Sequence, residues 1–397
     1  MEIIVQKYGG SSVADVEKLK KISEMIAAIK NKGNDVVAVV SAMGKTTNSL
    51  IEMAKEISAN PSRREMDMLL STGERTTMAL LCIALNELGV EAISLTGSQA
   101  GIVTNDRHND AKVIEIRPIR VQDELAKGKV VVIGGFQGVS YKRDITTLGR
   151  GGSDTSAVAL AAALDAERCE IYSDVDGVYT SDPNIVKEAK HLPEISYQQI
   201  QEMAESGAKV LNAQAVQFAK EAKIALYTRS TFSPGKETVV KDISRKELEG
   251  VLAIVYEKKV IRIYVHDADK IVWVLNYLEE NQIPIKEFQQ TGLAGDKGYK
   301  CSFIVSTTNV YDWEKVKATL EDKLREGIYI NESLGAISVI GEGFSRNSKV
   351  LLETFRLLQK NKINFYGVNT TSFRISILIE RDLVEDAVKA CHDYWIK

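Results

Sequence analysis

An apolar run, Val130-Val131-Val132-Ile133, leads through a turn-rich segment into Thr147-Leu148-Gly149-Arg150-Gly151-Gly152-Ser153-Asp154-Thr155-Ser156-Ala157. The alanine-rich stretch Ala157–Leu164, of high helix propensity, follows. The order is strand, glycine-rich loop, helix. Adjacent glycines let a backbone approach a ligand closely, and a helix start presents unpaired N–H groups to an anion. Arg150 and Asp154 flank the glycines as a charged clamp. A simple chain reversal needs only the glycines, so Arg150, Ser153 and Asp154 around them favour a functional loop.

The chain opens on a second unit of this kind. Glu2–Gln6 reads as a strand, Lys7-Tyr8-Gly9-Gly10-Ser11-Ser12 as the loop, and Val16, Leu19, Ile22, Ile26 and Ile29 mark an amphipathic helix. The GxxxxGK[ST] spacing of a P-loop is missing here, which excludes that nucleotide motif. A buried strand is predicted at Val36–Val40, leading into Ser41-Ala42-Met43-Gly44-Lys45-Thr46-Thr47, with helices over about 48–57 and 66–88. Within the longer helix, Ser71-Thr72-Gly73-Glu74-Arg75 interrupts apolar residues, and a capping box served by Glu74 is one reading of it. Strands near 92–95 and 130–134 have helical segments between them; Cys169–Tyr172 and Ile224–Thr228 are further strands, and 197–204 and 214–222 further helices. Alternation of this kind up to about residue 243 predicts an α/β domain, a mainly parallel sheet sandwiched by helices.

Beyond the charged run Lys241–Glu249 the rhythm changes. Two copies of a βαββαβ pattern follow, the second lacking its last strand, which gives three expected domains: 1–243, 250–332 and 333–397. The spare strand Gly250–Val255 is placed to supply the missing edge, so that the two α+β copies interleave. A chain of 397 residues has room for these domains. Its formal net charge of -3 gives no reason to expect a nucleic-acid or membrane partner. No apolar run reads as a signal or membrane span, which predicts a cytoplasmic protein. Cys82, Cys169, Cys301 and Cys391 are widely spaced and read as buried thiols, and the scattered cysteines and four histidines predict no protein metal site. Near Ser173-Asp174-Val175-Asp176, three aspartates including Asp182 lack the spacing of a calcium loop.

Taken in order, the Lys7–Ser12 loop, Val40-Ser41-Ala42-Met43-Gly44, Ser71–Arg75, Gly135-Phe136-Gln137-Gly138, the Arg150 loop and Asp174–Tyr179 resemble the aspartate kinases of the amino-acid kinase superfamily. The tail resembles the paired ACT domains of that family. The resemblance implies ATP-dependent phosphorylation of the β-carboxylate of L-aspartate, an early step toward lysine, threonine and methionine, with Mg2+ carried on the ATP phosphates. It assigns Lys7, Asp154 and Lys209 to catalysis, with Asp154 holding both lysines. Acceptor binding falls to Ser41, Thr47, Glu74 (facing the ammonium), Arg150 (facing the α-carboxylate), Gly151, Gly152 and Ser153. The nucleotide side takes Lys7, Gly9, Gly10, Ser173, Asp174, Tyr179, Asp182 and Lys209. Effector positions correspond to Asp267, Gln289, Gln290, Asn369 and Thr370, for lysine or threonine, and a homodimer through the ACT domains is expected. Asn184 stands where the family carries arginine after Asp-Pro, and His266–Lys270 and Phe344–Lys349 replace Pro-Gly turns. These departures make a structural role for the tail a rival to effector sensing. A related kinase with another small acid as acceptor, and a non-catalytic amino-acid sensor, are the alternative functions.

Overall fold

The computed structural model describes residues 2–208, 210–233, 235–243, 250–292, 300–306, 310, 312–344 and 348–396. Lys209 and residues 345–347 therefore lie outside the described residues. The chain divides into two compact units, one of residues 1–178, 191–204 and 209–243, the other of 179–190, 205–208 and 244–397. The expected boundary near 243 is thus crossed by two excursions, 179–190 and 205–208. The expected separate tail domains fall within one compact unit.

The first unit is built on eight strands in the order Glu194–Ser196, Glu237–Lys241, Leu226–Ser230, Arg168–Ser173, Ile3–Tyr8, Asp35–Val40, Val130–Gly134, Ala92–Leu95. The last six in that order run parallel; Glu237–Lys241 is antiparallel to Leu226–Ser230. Val36–Val40 and Val130–Ile133 are buried at every residue, as strands covered on both faces must be. Side chains alternate across such a sheet. Tyr8, Val36, Ala38, Val40, Val130 and Val132 form one core with the helices Val16–Lys30 and Arg63–Glu87. Lys7 projects to the opposite face, where the helix Gly152–Ala163 packs on the central strands. The first ten residues of that helix are all buried, which its run of small side chains permits.

A second, four-stranded sheet in this unit was not expected. Its order is Val113–Ile116, Ile102–Thr104, Gln137–Ser140, Ile145–Thr147. Strands of three or four residues are too short to show a period, so this region read as turns and helix. The helix Arg63–Glu87 is long and apolar enough by composition to cross a membrane, contrary to the sequence reading, but half of its most apolar window is buried inside the protein.

The second unit is one six-stranded antiparallel sheet ordered Ile285–Thr291, Lys300–Val305, Gly250–Val265, Ile328–Glu342, Arg374–Glu380, Phe365–Thr370. Two strand pairs predicted as separate pieces are continuous. Gly250–Val265 and Ile328–Glu342 each serve both copies, and the register shifts between Glu257 and Arg262 mark the change from one copy to the other. Gly250–Glu257 pairs with Ala336–Glu342, and Ile254 packs in the core of the second copy with Ile337, Val339, Ile375, Ile377 and Cys391. The interleaved arrangement is therefore the one the chain adopts. All four cysteines are buried free thiols.

Candidate active site

Strand alternation and helix start together place the first pair of charges. Lys7 lies one residue from the end of its strand, and Asp154 lies in the first turn of the helix Gly152–Ala163. A carboxylate is favoured there by the helix dipole. Their side chains meet with Nζ 2.7 Å from Oδ1, and both are about nine-tenths buried. The contact lies outside hydrogen-bond angles, so it is an ion pair by charge. Breaking such a pair by removing one partner typically costs about 3–5 kcal/mol.

The loop before that helix corrects its sequence reading in part. Gly151 has φ of 73°, the left-handed conformation. A side chain on it would meet Asn212, and one on Gly152 would lie 2.7 Å from Leu148 Cβ and 3.1 Å from the Phe136 ring. The glycines thus allow protein to pack on protein. Two of the loop's amides are also committed: Gly152 N–H donates to Gly149 and Asp154 N–H to Gly151, each at 3.0 Å. Arg150 is exposed, and its carbonyl accepts from Asn212 Nδ2 at 2.8 Å. Asn212 also accepts from Thr155 and caps the helix Ala213–Ala222. Asn212 was missed, because a lone asparagine before a helix reads only as a cap.

Ser41 Oγ donates to Ser153 Oγ at 3.0 Å, which joins the second and central loops. Thr47 is half-buried in the first turn of the helix Thr46–Ile57. Glu74 is not at a helix start, so the capping-box reading fails: it lies in the middle of Arg63–Glu87. At Gly73, beside it, a side chain would sit 2.7 Å from Ala42 Cβ; the glycine lets the helix approach the Ser41 loop. Glu74 Oε1 accepts the Ala42 N–H at 3.1 Å, while Oε2 is buried with no hydrogen-bond partner among the described residues. Burial pushes this carboxyl up to about 8, against the pull of its backbone donors.

The nucleotide-side expectations divide. Gly9 N–H donates to the Tyr172 carbonyl at 3.0 Å and so extends the strand ladder. Ser12 Oγ lies 2.6 Å from Thr231 Oγ1, which donates to the Ser173 carbonyl, linking the first glycine loop to Ser173. Asp174 is exposed. Tyr179 and Asp182 belong to the second unit, where Asp182 accepts from Tyr256 and Asn184. Among the effector positions, Asp267 caps a short helical turn, and Gln289 accepts from Arg262, which also donates to Ser302 and to the Tyr366 carbonyl. Asn369 lines a cavity of about 320 Å³ in this unit, with Glu257, Lys286, Ser338 and Arg374. Gln290 and Thr370 are exposed strand residues.

Comparison with known proteins agrees with this architecture. The amino acid kinase family model matches residues 2–230, and an ACT domain model matches 337–394. An aspartokinase of Bacillus sp. (strain MGA3) is 41% identical, covering 99% of this chain and 97% of the relative. Aspartokinase III of E. coli with aspartate and ADP (R-state) superposes with a TM-score of 0.84, and its form with lysine and aspartate (T-state) with 0.72. Each is 24% identical and covers both chains fully, a likeness that shows the fold. This chain belongs to the amino acid kinase family, in its aspartokinase branch.

Proposed function

We propose that this chain catalyses the ATP-dependent phosphorylation of the β-carboxylate of L-aspartate. The observation that carries the reading is full-length identity of 41% with an aspartokinase, in a chain that buries a Lys7–Asp154 ion pair. A side-chain carboxylate has an ordinary pKa near ~4, so it attacks phosphorus without a general base. An oxygen of the β-carboxylate bonds to the γ-phosphorus as the bridging P–O bond to ADP breaks. Catalysis then rests on alignment and on neutralising charge at the phosphoryl oxygens.

Lys7 supplies one cation at the phosphoryl group, and Asp154 holds it on the loop side of the sheet. Lys209 is proposed as the second cation on its motif position alone. Gly10 is the amide proposed for the phosphate oxygens, and Ser173, Asp174, Tyr179 and Asp182 are proposed for the rest of the nucleotide. Arg150 suits the α-carboxylate as a bidentate donor, with Ser41, Thr47 and Ser153 completing the acceptor shell. Glu74 suits the ammonium, which would give its buried carboxylate a counter-charge that none of the described residues supplies. Among the described residues no group of three or more His, Cys, Asp or Glu could hold a metal. Mg2+ is proposed to arrive on the ATP phosphates, where it neutralises charge.

A place in lysine, threonine and methionine synthesis, a cytoplasmic location, a homodimer through the ACT unit and lysine or threonine as effectors complete the reading. The test is ATP-dependent hydroxamate formation over a panel of amino acids and small acids. Aspartate should be preferred; another acid turned over faster would sink the assignment.

A further inference from the structure

Seven residues before Glu74, on the same helix, stands the fully buried Asp67. Seven residues make nearly two turns, so the two carboxylates share a helix face about 10 Å apart. Asp67 Oδ1 accepts the Asn109 N–H at 3.0 Å and the Thr147 hydroxyl. Its Oδ2 lies 2.7 Å from His108 Nδ1. With its amide turned to donate, the Asn109 side chain adds a bond to Oδ1 at 3.0 Å and another to the Arg63 carbonyl at 3.2 Å. Burial pushes the Asp67 carboxyl up, while Thr147, His108 and Asn109 pull it back toward the charged form. Opposite an ionised Asp67, His108 Nδ1 carries its proton and donates.

Thr147 is the last residue of the small sheet, and the next residues are the loop that carries Arg150 and Ser153. Its carbonyl accepts from Ala111 at 2.9 Å, so its backbone is fixed as well. One buried carboxylate therefore fastens the helix that bears Glu74 to the root of the loop that bears Arg150. None of the motifs that carry the family resemblance includes Asp67 or His108.

We propose that Asp67, His108 and Thr147 form a positioning unit that fixes the spacing between Glu74 and Arg150, and so sets how an amino-acid acceptor is seated. The proposal rests on the acceptor roles given to those two residues above. The three touch neither phosphoryl group nor substrate; they act through the loop root. A gap of fixed width suits one acceptor chain length, so its loosening should cost aspartate affinity and discrimination against glutamate together.

Steady-state kinetics of the full chain test this, with aspartate, glutamate and ATP varied separately. Thr147→Val, which removes one hydroxyl at nearly constant volume, and Asp67→Asn should each raise the aspartate KM about tenfold or more, the scale of a lost bond to a charged group. The ATP KM should stay within about twofold, and the aspartate-over-glutamate ratio of kcat/KM should fall. His108→Ala should do the same. His108→Asn, whose amide nitrogen can take the place of Nδ1, should restore the aspartate KM. Lower melting temperatures with an unchanged aspartate KM would overturn the proposal, as would parallel rises in both KM values. Wild-type protein inactive on aspartate would overturn the functional reading itself, an outcome distinct from either.

Discussion

Two buried carboxylates in the first unit are treated in opposite ways. Asp154 has its counter-charge within the protein, the Lys7 ammonium at 2.7 Å. Glu74 has backbone N–H donors but no counter-charge among the described residues, and its Oε2 has no hydrogen-bond partner there. A buried charge without a partner is costly, and such a group shifts its pKa instead. On the roles proposed above, the phosphoryl end would be electrically complete before any substrate arrives, whereas the acceptor end would be completed by its ligand. An enzyme arranged this way holds its catalytic cation ready and lets the arrival of the amino acid switch on its partner charge.

The comparison is broken most severely at Lys7. Lys7→Ala should reduce hydroxamate formation by about a thousandfold or more, since it removes transition-state charge stabilisation and strands Asp154. Arg150→Ala should act on the acceptor end, raising the aspartate KM roughly ten- to a hundredfold with a smaller loss of turnover. Unchanged turnover in Lys7→Ala would refute the proposed role of the ion pair.

Titration sharpens the comparison. With the Glu74 carboxyl near 8, the free protein holds it largely neutral at pH 6, and an ammonium binds best to its ionised form. The aspartate KM should therefore fall by up to about tenfold per pH unit between 6 and 8, then level off. Glu74→Gln should weaken binding but flatten that profile. The stability sign is fixed too. A carboxyl raised in the fold contributes fully below its ordinary value of 4.5, and the contribution is lost as pH rises through about 8. The melting temperature of Glu74→Gln should thus gain on wild type across that window, measured without aspartate.

The smallest effect is expected at Asn212, which joins Arg150, Thr155 and its own helix start. Asn212→Ala should cost about 1–2 kcal/mol of stability, read from denaturant unfolding, with a modest rise in the aspartate KM.

Much of this was legible in the sequence because it is periodic or local. The parallel strands, the helix after Gly152 and the repeat in the tail all announce themselves by spacing. Lys7 and Asp154 were paired only through the family resemblance; strand parity and the helix start supply the geometric reason. What stayed hidden depends on distant chain segments. The helix over 66–88 was legible, but the reason for Gly73 inside it was not, because its cause is Ala42, thirty-one positions away. Asp67, His108 and Thr147 come together only once a sheet of three- and four-residue strands has formed. The two long shared strands were read as four, since the bulges near Glu257 and Val260 interrupt the alternation.

Those shared strands bear on how the chain leaves the ribosome. Gly250–Glu257 pairs along its length with Ala336–Glu342, so synthesis must pass through the whole first copy before that strand pair can close. At about 5–20 residues per second the wait lasts several seconds or more, with an apolar strand left open meanwhile. Nascent chains arrested between residues 260 and 330 should accordingly be the most dependent on chaperone binding, and release of the last sixty residues should end that dependence.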